Sequence, residues 1–428
     1  MTFAPAAVAP PLGSNREFRL LWFGEAVSVL GSMTTTVVLP VLAVTALHAS
    51  AQWMGLLTAG AWLPWLLLAL PAGAYIDRGD NRRIMIAADF VGAAVLVSVP
   101  IAAVFGRLTL IHLLLAALGG GVKEVIFRTA YPGLLTQVVH PNDLERANGR
   151  VYGTESAMQV AGPGVGGVLI ALVPAAQALL MDVTSFAVSI VCLCRIRPAA
   201  DGPDEDDPRC QEPLRTLIRE GLRVTVGDRY LRWFAVQGGV TNFALTGYQA
   251  LLVLWMVRDL GTTPEHVGLL LATGSVGGLV GAAAAGRISR RLGNARGMLV
   301  LQILGGPTAL LIGSAGPGAM VWLIPLGAGL VGAGVVGANV IRGAFRQRWT
   351  PPHLLGRTTG AASMINFGTM PLAGLAAGWL GSQLGLRPTI LLMAGIHAAS
   401  SLATLNAPWA KRRDLPTGCL GDTWTGDN

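Results

Sequence analysis

Charged residues are scarce in this sequence of 428 residues. They make up 13% of the chain, whereas 52% of the residues are hydrophobic and the mean hydropathy is +0.56. A soluble domain carries about 25% charged residues, so the composition excludes an ordinary soluble protein. The 56 glycines and 25 prolines are spread through the apolar stretches, as transmembrane helices tolerate. We predict an all-α polytopic membrane protein.

Several other features are absent from the sequence. No phosphate-binding loop of the type G-x-x-x-x-G-K-[ST] occurs, which argues against an ATP-driven machine. Zinc spacings such as H-E-x-x-H are missing too, and the four cysteines, two of them Cys192 and Cys194, lack a histidine cluster nearby. We therefore expect no enzyme activity, no metal site and no cofactor. Residues 1–17 lack the basic and apolar regions of a signal peptide and are predicted to be a flexible tail.

Long hydrophobic runs dominate the rest of the chain. A membrane span needs about 20 mostly apolar residues, and twelve segments meet that need: 18–46, 52–76, 83–105, 108–131, 148–172, 175–195, 229–257, 265–288, 296–315, 318–341, 358–381 and 386–409. The one long polar segment, 196–228, separates two sets of six. We predict an N-terminal half (18–195), a cytoplasmic central loop (196–228), a C-terminal half (229–409) and a cytoplasmic tail (410–428).

The basic residues predict the orientation of these spans. If the N-terminus is inside, all but five of the 31 Lys and Arg fall on inner loops; Arg107, Arg258 and Arg387 fall outside, and Lys123 and Arg128 fall within a span. This bias predicts that both termini are cytoplasmic in an inner (plasma) membrane. The net charge of +8 then faces the cytoplasmic leaflet and membrane lipids, and nucleic acid is not an expected partner.

The two halves resemble each other in sequence. The stretch after the fourth span and the stretch after the tenth share Pro, Leu, Arg and Gly at one constant spacing: Pro141, Leu144, Arg146 and Gly149 correspond to Pro352, Leu355, Arg357 and Gly360. Paired six-helix halves indicate transport by alternating access, with a site near the midplane.

The loop after the second span carries a known signature. Its residues Gly73, Asp77, Arg78, Arg82 and Arg83 resemble, with a one-residue shift, the G-x-x-x-D-R-x-G-R-R loop of the major facilitator superfamily. The resemblance implies that Asp77 contacts the start of the eleventh span and that Arg78 contacts an acid near the fourth, a network that holds one access state closed. The alternative is a basic loop that only sets topology.

A second motif lies in the fifth span. Its members, Gly153, Gly162, Pro163, Gly166 and Gly167, are similar to a motif of the superfamily's antiporters. Proline kinks a helix, and glycines let a neighbour approach closely. The motif indicates export, although ordinary glycine packing is an alternative reading. The surroundings of Asp89 and Asp182 resemble the drug and siderophore efflux branch, which includes macrolide efflux proteins and enterobactin exporters.

Five acidic residues lie inside the spans, all in the first half: Glu25, Asp89, Glu124, Glu155 and Asp182. Charges at this depth are costly and mark function. Three of them, Glu25, Glu124 and Glu155, lie seven residues from an inner helix end, which is roughly 10 Å deep at the α-helical rise. Apart from Glu265, the first residue of the eighth span, the spans of the second half contain no acid.

We hypothesise a charge cluster of Glu25, Lys123, Glu124, Arg128 and Glu155. Glu124 and Arg128 are four residues apart and share a helix face, so they are predicted to pair. Lys123 points about 100° away from them and is predicted to pair with Glu25 or Glu155. One carboxylate would carry a coupled proton; the alternative is a permanent structural network. Asp89 is predicted to support the loop after the second span, and Asp182 to be structural.

Polar positions on spans 1, 7 and 10 are the candidate substrate contacts: Thr35, Asn242, Tyr248, Gln249 and Asn339. Together these features predict a monomeric, proton-coupled exporter of an amphiphilic small molecule. A proton-coupled importer of a metabolite is the alternative, and a sensor or accessory subunit that transports nothing is a third reading.

Overall fold

The structure is a computed structural model, and it describes residues 12, 14–76, 79–140, 143–197, 214–416 and 420. Every regular element in these ranges is helical. The first half contains α1 (Arg16–Thr45), α2 (Ala51–Ile76), α3 (Asn81–Val104), α4 (Leu110–Val138), α5 (Leu144–Leu172), α6 (Ala175–Ala178) and α7 (Leu180–Arg195). The remainder contains α8 (Leu214–Gly227), α9 (Arg229–Arg258), α10 (Pro264–Leu292), α11 (Asn294–Gly305), α12 (Ala309–Ser314), α13 (Leu323–Trp349), α14 (Pro352–Leu384) and α15 (Leu386–Ala403).

The predicted spans correspond to these helices. The sixth is broken at Leu179 into α6 and α7, and the ninth is broken between α11 and α12 by a short 3-10 turn. Nine helical segments of the described chain are long and apolar enough to cross a membrane. The other three, α2, α5 and α14, have 26, 29 and 33 residues. At about 1.5 Å per residue each exceeds the ~30 Å hydrocarbon core. The fold is therefore that of an all-α polytopic protein.

Side-chain caps start several helices where the sequence leaves the membrane. Asn15 accepts a hydrogen bond from the Phe18 amide (3.1 Å) at the start of α1, and Asp80 does the same for the Arg83 amide (3.2 Å) at the start of α3. Asp228 caps α9. Such caps satisfy amides that have no partner within the helix, so each polar loop residue determines where an apolar run becomes helical.

Three apolar cores show which end of the molecule is closed and which is open. One joins both halves at the end opposite the termini, where the end of α1, represented by Val41 and Val44, packs in the same cluster as Leu251 and Trp255 near the end of α9. At the end that carries the termini, each half has its own core, one in the first half and one in the second. The molecule is therefore closed at the end distal to the termini and open at the termini end.

The halves also contact each other through two helix pairs, α2 with α14 and α5 with α10. In each pair a glycine faces a glycine: Gly55 lies against Gly378, and Gly167 lies against Gly268. A methyl group at Gly55, Gly167 or Gly268 would overlap the opposing backbone, and one at Gly378 would make a tight contact with it. The absence of side chains therefore sets the helix spacing at the interface between the halves.

Part of the segment expected to be a loop is helical. The helix α8 was not predicted from the sequence, because its residues are too polar to resemble a span. Gly221 lies against the backbone of Arg357, and Glu220 pairs with the Arg357 side chain. The connection between the halves thus docks on the start of α14.

Candidate functional site

Lys123 lies at the centre of a buried charge cluster in the first half. Its side chain is 3% exposed, and its Nζ lies 3.3 Å from Asp89 Oδ1, 3.4 Å from Ser28 Oγ and 3.8 Å from Glu124 Oε2. Asp89 is fully buried. The sequence had suggested Glu25 or Glu155 as the partner of Lys123 and a loop-supporting role for Asp89. The first expectation is wrong, because α3 packs on α4 and brings Asp89 to the amine. The second stays a prediction, because Asp77 and Arg78 of that loop lie outside the described residues.

Arg128 forms the second centre of the cluster. Its Nε donates to Glu124 Oε1 at 2.8 Å, as the four-residue spacing predicts, and its Nη1 donates to Glu155 Oε1 at 2.7 Å. The guanidinium therefore links α4 to α5. Since Glu124 also faces Lys123, the two cations share one carboxylate and belong to a single network.

Glu25 approaches this network from α1. It is 7% exposed, and among the described residues its Oε2 has no hydrogen-bond partner. The charges that act on it are those of Arg128, Glu124, Lys123 and Glu155. The five cluster residues predicted from the sequence thus lie together, but Glu25 is the member without a direct ion pair in the described structure.

Asp182 is held by hydroxyl groups rather than by a cation. Thr35 donates to its Oδ2 at 2.6 Å, and Ser185 and Ser32 donate to its Oδ1 at 3.1 and 3.4 Å. Thr35, one of the candidate substrate contacts, directs its hydroxyl at Asp182, and its role towards a substrate stays a prediction. This contact joins α1 to α7.

The loop after α2 is described in part. Asp77 and Arg78, the two central residues of the predicted gating loop, lie outside the described residues, and Gly73 lies in the last part of α2. Arg82 donates to the carbonyl oxygens of Leu193 (2.6 Å) and Cys194 (2.7 Å). It therefore caps the end of α7.

Arg83, the last residue of that loop motif, makes a different contact. It pairs with Asp80 at 3.1 Å, and its side chain is largely exposed. The two arginines of the motif therefore have separate environments, one at a helix terminus and the other at the surface.

The motif in α5 lies between the halves. Gly162 contacts Met33 of α1, and Gly166 lies near the Thr34 carbonyl, while Gly167 meets α10 on the opposite side. Gly153 faces open space. The glycines at 162, 166 and 167 therefore let α5 pack between α1 and α10, and Pro163 lies inside the same helix.

Two cavities adjoin the remaining candidates. One, of about 320 Å³, lies within the second half and is lined by Asn242 and Asn339. The other, of about 370 Å³, lies between the halves and is lined by Gln249 and by Pro163 of the α5 motif. Tyr248 is buried in the core shared by the halves and is not among the lining residues of either cavity.

Comparison with known proteins identifies the family of this chain. A family model described as "transmembrane secretion effector" matches residues 6–415. The chain belongs to this family of major facilitator transporters. It is a membrane transporter and not an enzyme. Multidrug efflux pump Tap of Mycobacterium tuberculosis is 26% identical over 406 residues, covering 92% of this chain and 94% of that protein. Macrolide efflux protein A of Streptococcus pyogenes is 22% identical over 381 residues, covering 88% and 92%.

A solved structure shows the same fold as this chain. A bacterial homologue of the iron transporter ferroportin in its inward-facing state is 16% identical, with a TM-score of 0.72 and coverage of 93% of this chain and 99% of that chain. The outward-facing state of the ferroportin homologue gives a TM-score of 0.57. The major facilitator chain described here therefore superposes better on the inward-facing arrangement.

Some residues of the transporter's interior were missed from the sequence. Arg342 was counted among the basic residues of an inner loop, but it lines the cavity of the second half together with Gln237, Gln302 and His397. The depth argument that identified Glu25 could not find it, because the tenth predicted span ends at residue 341, whereas α13 continues to Trp349.

Proposed function

We propose that this transporter is a proton-coupled exporter of amphiphilic small molecules. The observation that carries the proposal is the charge count of the first half: Glu25, Asp89, Glu124, Glu155 and Asp182 supply five carboxylates against two cations, Lys123 and Arg128. Buried ions of one sign in excess are costly, and this cost falls when a carboxylate binds a proton. The surplus of acid therefore suits a site that loads and releases protons.

Glu25 is the proposed proton carrier. It belongs to the electrostatic field of the network, yet no hydrogen bond holds its Oε2 within the described structure. Protonation of Glu25 would leave the Arg128 pairs intact. Glu124 and Glu155 each lie close to Arg128, at 2.8 and 2.7 Å, so we assign them to the fixed part of the cluster. Through these residues the charge of Glu25 acts on α4 and α5.

The alternation between access states is proposed to occur at the glycine contacts between the halves. The close packing of Gly167 on Gly268 would let α5 move against α10 without opening a path for ions. Asp77 and Arg78, by resemblance, would hold one state closed. We further propose that the two halves 18–195 and 229–409 move as units about the central segment, and that the protein works as a monomer.

The proposed direction is outward, across the plasma membrane. Two relatives are named for efflux, and the α5 motif resembles that of antiporters. With both termini in the cytoplasm, as the distribution of arginines favours, the end that is open in the structure is cytoplasmic. A cargo molecule would then enter from the cytoplasm or the inner leaflet.

Inside-out membrane vesicles with an acidic lumen test this proposal. We expect the wild-type protein to accumulate ethidium and a radiolabelled macrolide in the lumen, with the accumulation abolished by a protonophore. A Glu265→Gln variant is the matched control, since that carboxylate lies exposed near the start of α10 and its loss should leave accumulation unchanged. Release of preloaded probe from the vesicles under the same gradient would identify an importer and refute export.

A further inference from the structure

The cavity of the second half contains a cation, Arg342, with which no acid of the described chain pairs. Arg342 of α13 lines it, and its Nη2 donates to Gln237 Oε1 at 2.7 Å. The Nε of Arg342 is buried and lacks a hydrogen-bond partner among the described residues. The guanidinium also lies 5.3 Å from the ring centre of Phe234. A neutral amide and an aromatic ring are thus its close partners.

The spans of the second half lack a carboxylate that could serve as the counter-ion of Arg342. The sequence contains no Asp or Glu from His266 to Arg413 or from Arg229 to Arg258. The acids within the spans of the first half lie on other helices, where Asp89 pairs with Lys123 and Glu155 pairs with Arg128. Arg342 is half-buried, and its Nε is shielded from solvent. A cation that is partly removed from water and has no counter-ion is unfavourable, so this position favours an anion supplied from outside the chain.

The polar groups around Arg342 are arranged as a fixed chain. Gln237 Nε2 donates to Gln302 Oε1 at 2.7 Å and to Thr241 Oγ1 at 3.1 Å, and Thr241 is hydrogen-bonded to Ser400 at 3.3 Å. This chain orients the Gln237 carbonyl oxygen towards the guanidinium. The side chain of Arg342 is therefore held in place before any ligand arrives, which lowers the entropic cost of binding.

A second observation in the same cavity also indicates a ligand. His397 is 1% exposed and lines the cavity, and neither of its ring nitrogens has a hydrogen-bond partner in the described chain. Buried polar atoms normally have partners. An imidazole N–H that faces the cavity would donate to the same anion as Arg342, since both side chains line one space.

An aromatic surface borders the polar part of the cavity. Phe367 of α14 is a lining residue, and its ring lies 5.8 Å from Trp62 and 4.8 Å from Trp65 of α2, measured between ring centres. The two tryptophans belong to the other half of the protein. An apolar ring system held here would contact both halves, with its charged group directed towards Arg342.

We propose that this cavity binds the carboxylate of an amphiphilic substrate, with Arg342 and His397 as donors and Phe367 as the apolar contact. The inference rests on the proposed transport function, which it deepens by naming a substrate class: aromatic or macrocyclic carboxylates. The proton-binding acids then lie in the first half and the carboxylate of the substrate binds in the second, so that proton and substrate are bound by different helices.

Matched probes test the charge requirement. Binding of aryl carboxylates, from 1-naphthaleneacetate to 1-pyrenebutyrate, is measured on the purified full chain by tryptophan fluorescence, each against its primary amide. We expect the wild type to bind the carboxylate at least about tenfold more tightly than the amide, which is the difference in affinity expected from one charged hydrogen bond. Arg342→Gln should abolish the preference and leave amide affinity unchanged. A wild-type preference below about twofold for every pair overturns the proposal.

Further variants separate charge from folding. Arg342→Lys keeps the cation and should retain part of the preference, while Arg348→Gln removes an exposed arginine of the same helix and should retain all of it. If Arg342→Gln keeps the full preference, or if Arg348→Gln loses it equally, the assignment is wrong. Inorganic phosphate and nanodiscs rich in phosphatidylglycerol are titrated in parallel, and binding that depends on Arg342 for these alone would replace the carboxylate with a free or lipid phosphate.

The two proposals fail in different ways. Ethidium is a cation and does not need the carboxylate subsite, so its proton-driven accumulation by the wild type reports the proposed function alone. Absence of a carboxylate preference in the wild type, with its ethidium transport intact, would overturn only the subsite. Absence of proton-driven transport with carboxylate binding that still depends on Arg342 would overturn only the coupling.

Discussion

The pair formed by Lys123 and Asp89 allows a quantitative test of the buried network. Replacing Lys123 with Met keeps most of the side-chain volume and the contacts with Phe127 and Phe186, whose ring centres lie 4.7 and 4.4 Å from the amine. It leaves Asp89, which is 0% exposed, without a cation. Breaking a buried pair on one side costs about 3–5 kcal/mol, because the remaining charge stays in a low-dielectric site.

The reverse change should cost less. In Asp89→Asn the amine keeps Glu124 at 3.8 Å and the Ser28 hydroxyl at 3.4 Å. The double variant Lys123→Met with Asp89→Asn removes both charges and should recover most of the loss, so we expect a coupling energy of at least about 2 kcal/mol in the double-mutant cycle.

Unfolding by SDS in mixed micelles, followed by tryptophan fluorescence and circular dichroism, measures the four proteins of the cycle. The reasoning is refuted if Lys123→Met alone changes the free energy of unfolding by less than about 1 kcal/mol, or if the double variant loses the sum of the two single changes. A double variant that folds normally can then be assayed for transport, which separates the structural role of the pair from a role in coupling.

Two further predictions concern the interfaces. In Gly167→Ala the new methyl group would overlap the backbone of Gly268. We expect this variant to lose about 1–3 kcal/mol of stability, as overpacked variants do, and to transport more slowly in vesicles. Gly153→Ala, in the same motif, places its methyl group in open space and should be close to neutral in both assays. Arg82→Gln removes two hydrogen bonds to the last carbonyl groups of α7 and should lower the thermal midpoint by more than Arg83→Gln does, because the Arg83 side chain is largely exposed; equal midpoints for the two variants would refute the capping role.

The helices of the fold could be predicted because hydrophobic length is a strong local signal. Runs of about 20 apolar residues have few other stable forms, and the predicted spans match the helices to within a few residues at most ends. The helix α8 could not be found this way, since it is short and polar. Its position depends on contacts with Arg357 that are distant in sequence.

The candidate site was predicted unevenly for a related reason. Spacing along α4 correctly paired Glu124 with Arg128, because both residues lie on one helix. The partner of Lys123 depends on which helix packs beside α4, and helical periodicity carries no information about neighbours. Arg342 was missed because a basic residue near a helix end resembles one of the many that set topology.

The most direct test of the account measures substrate-driven proton movement in proteoliposomes. With a pH-sensitive dye enclosed and ethidium added at zero membrane potential, the wild type should move protons opposite to the substrate. Glu25→Gln, which removes the proposed carrier without breaking a described ion pair, should still bind ethidium but stop this proton movement. Glu124→Gln, which weakens the Arg128 network, should reduce it. Proton movement that remains intact in both variants would contradict the central claim that this cluster couples protons to export.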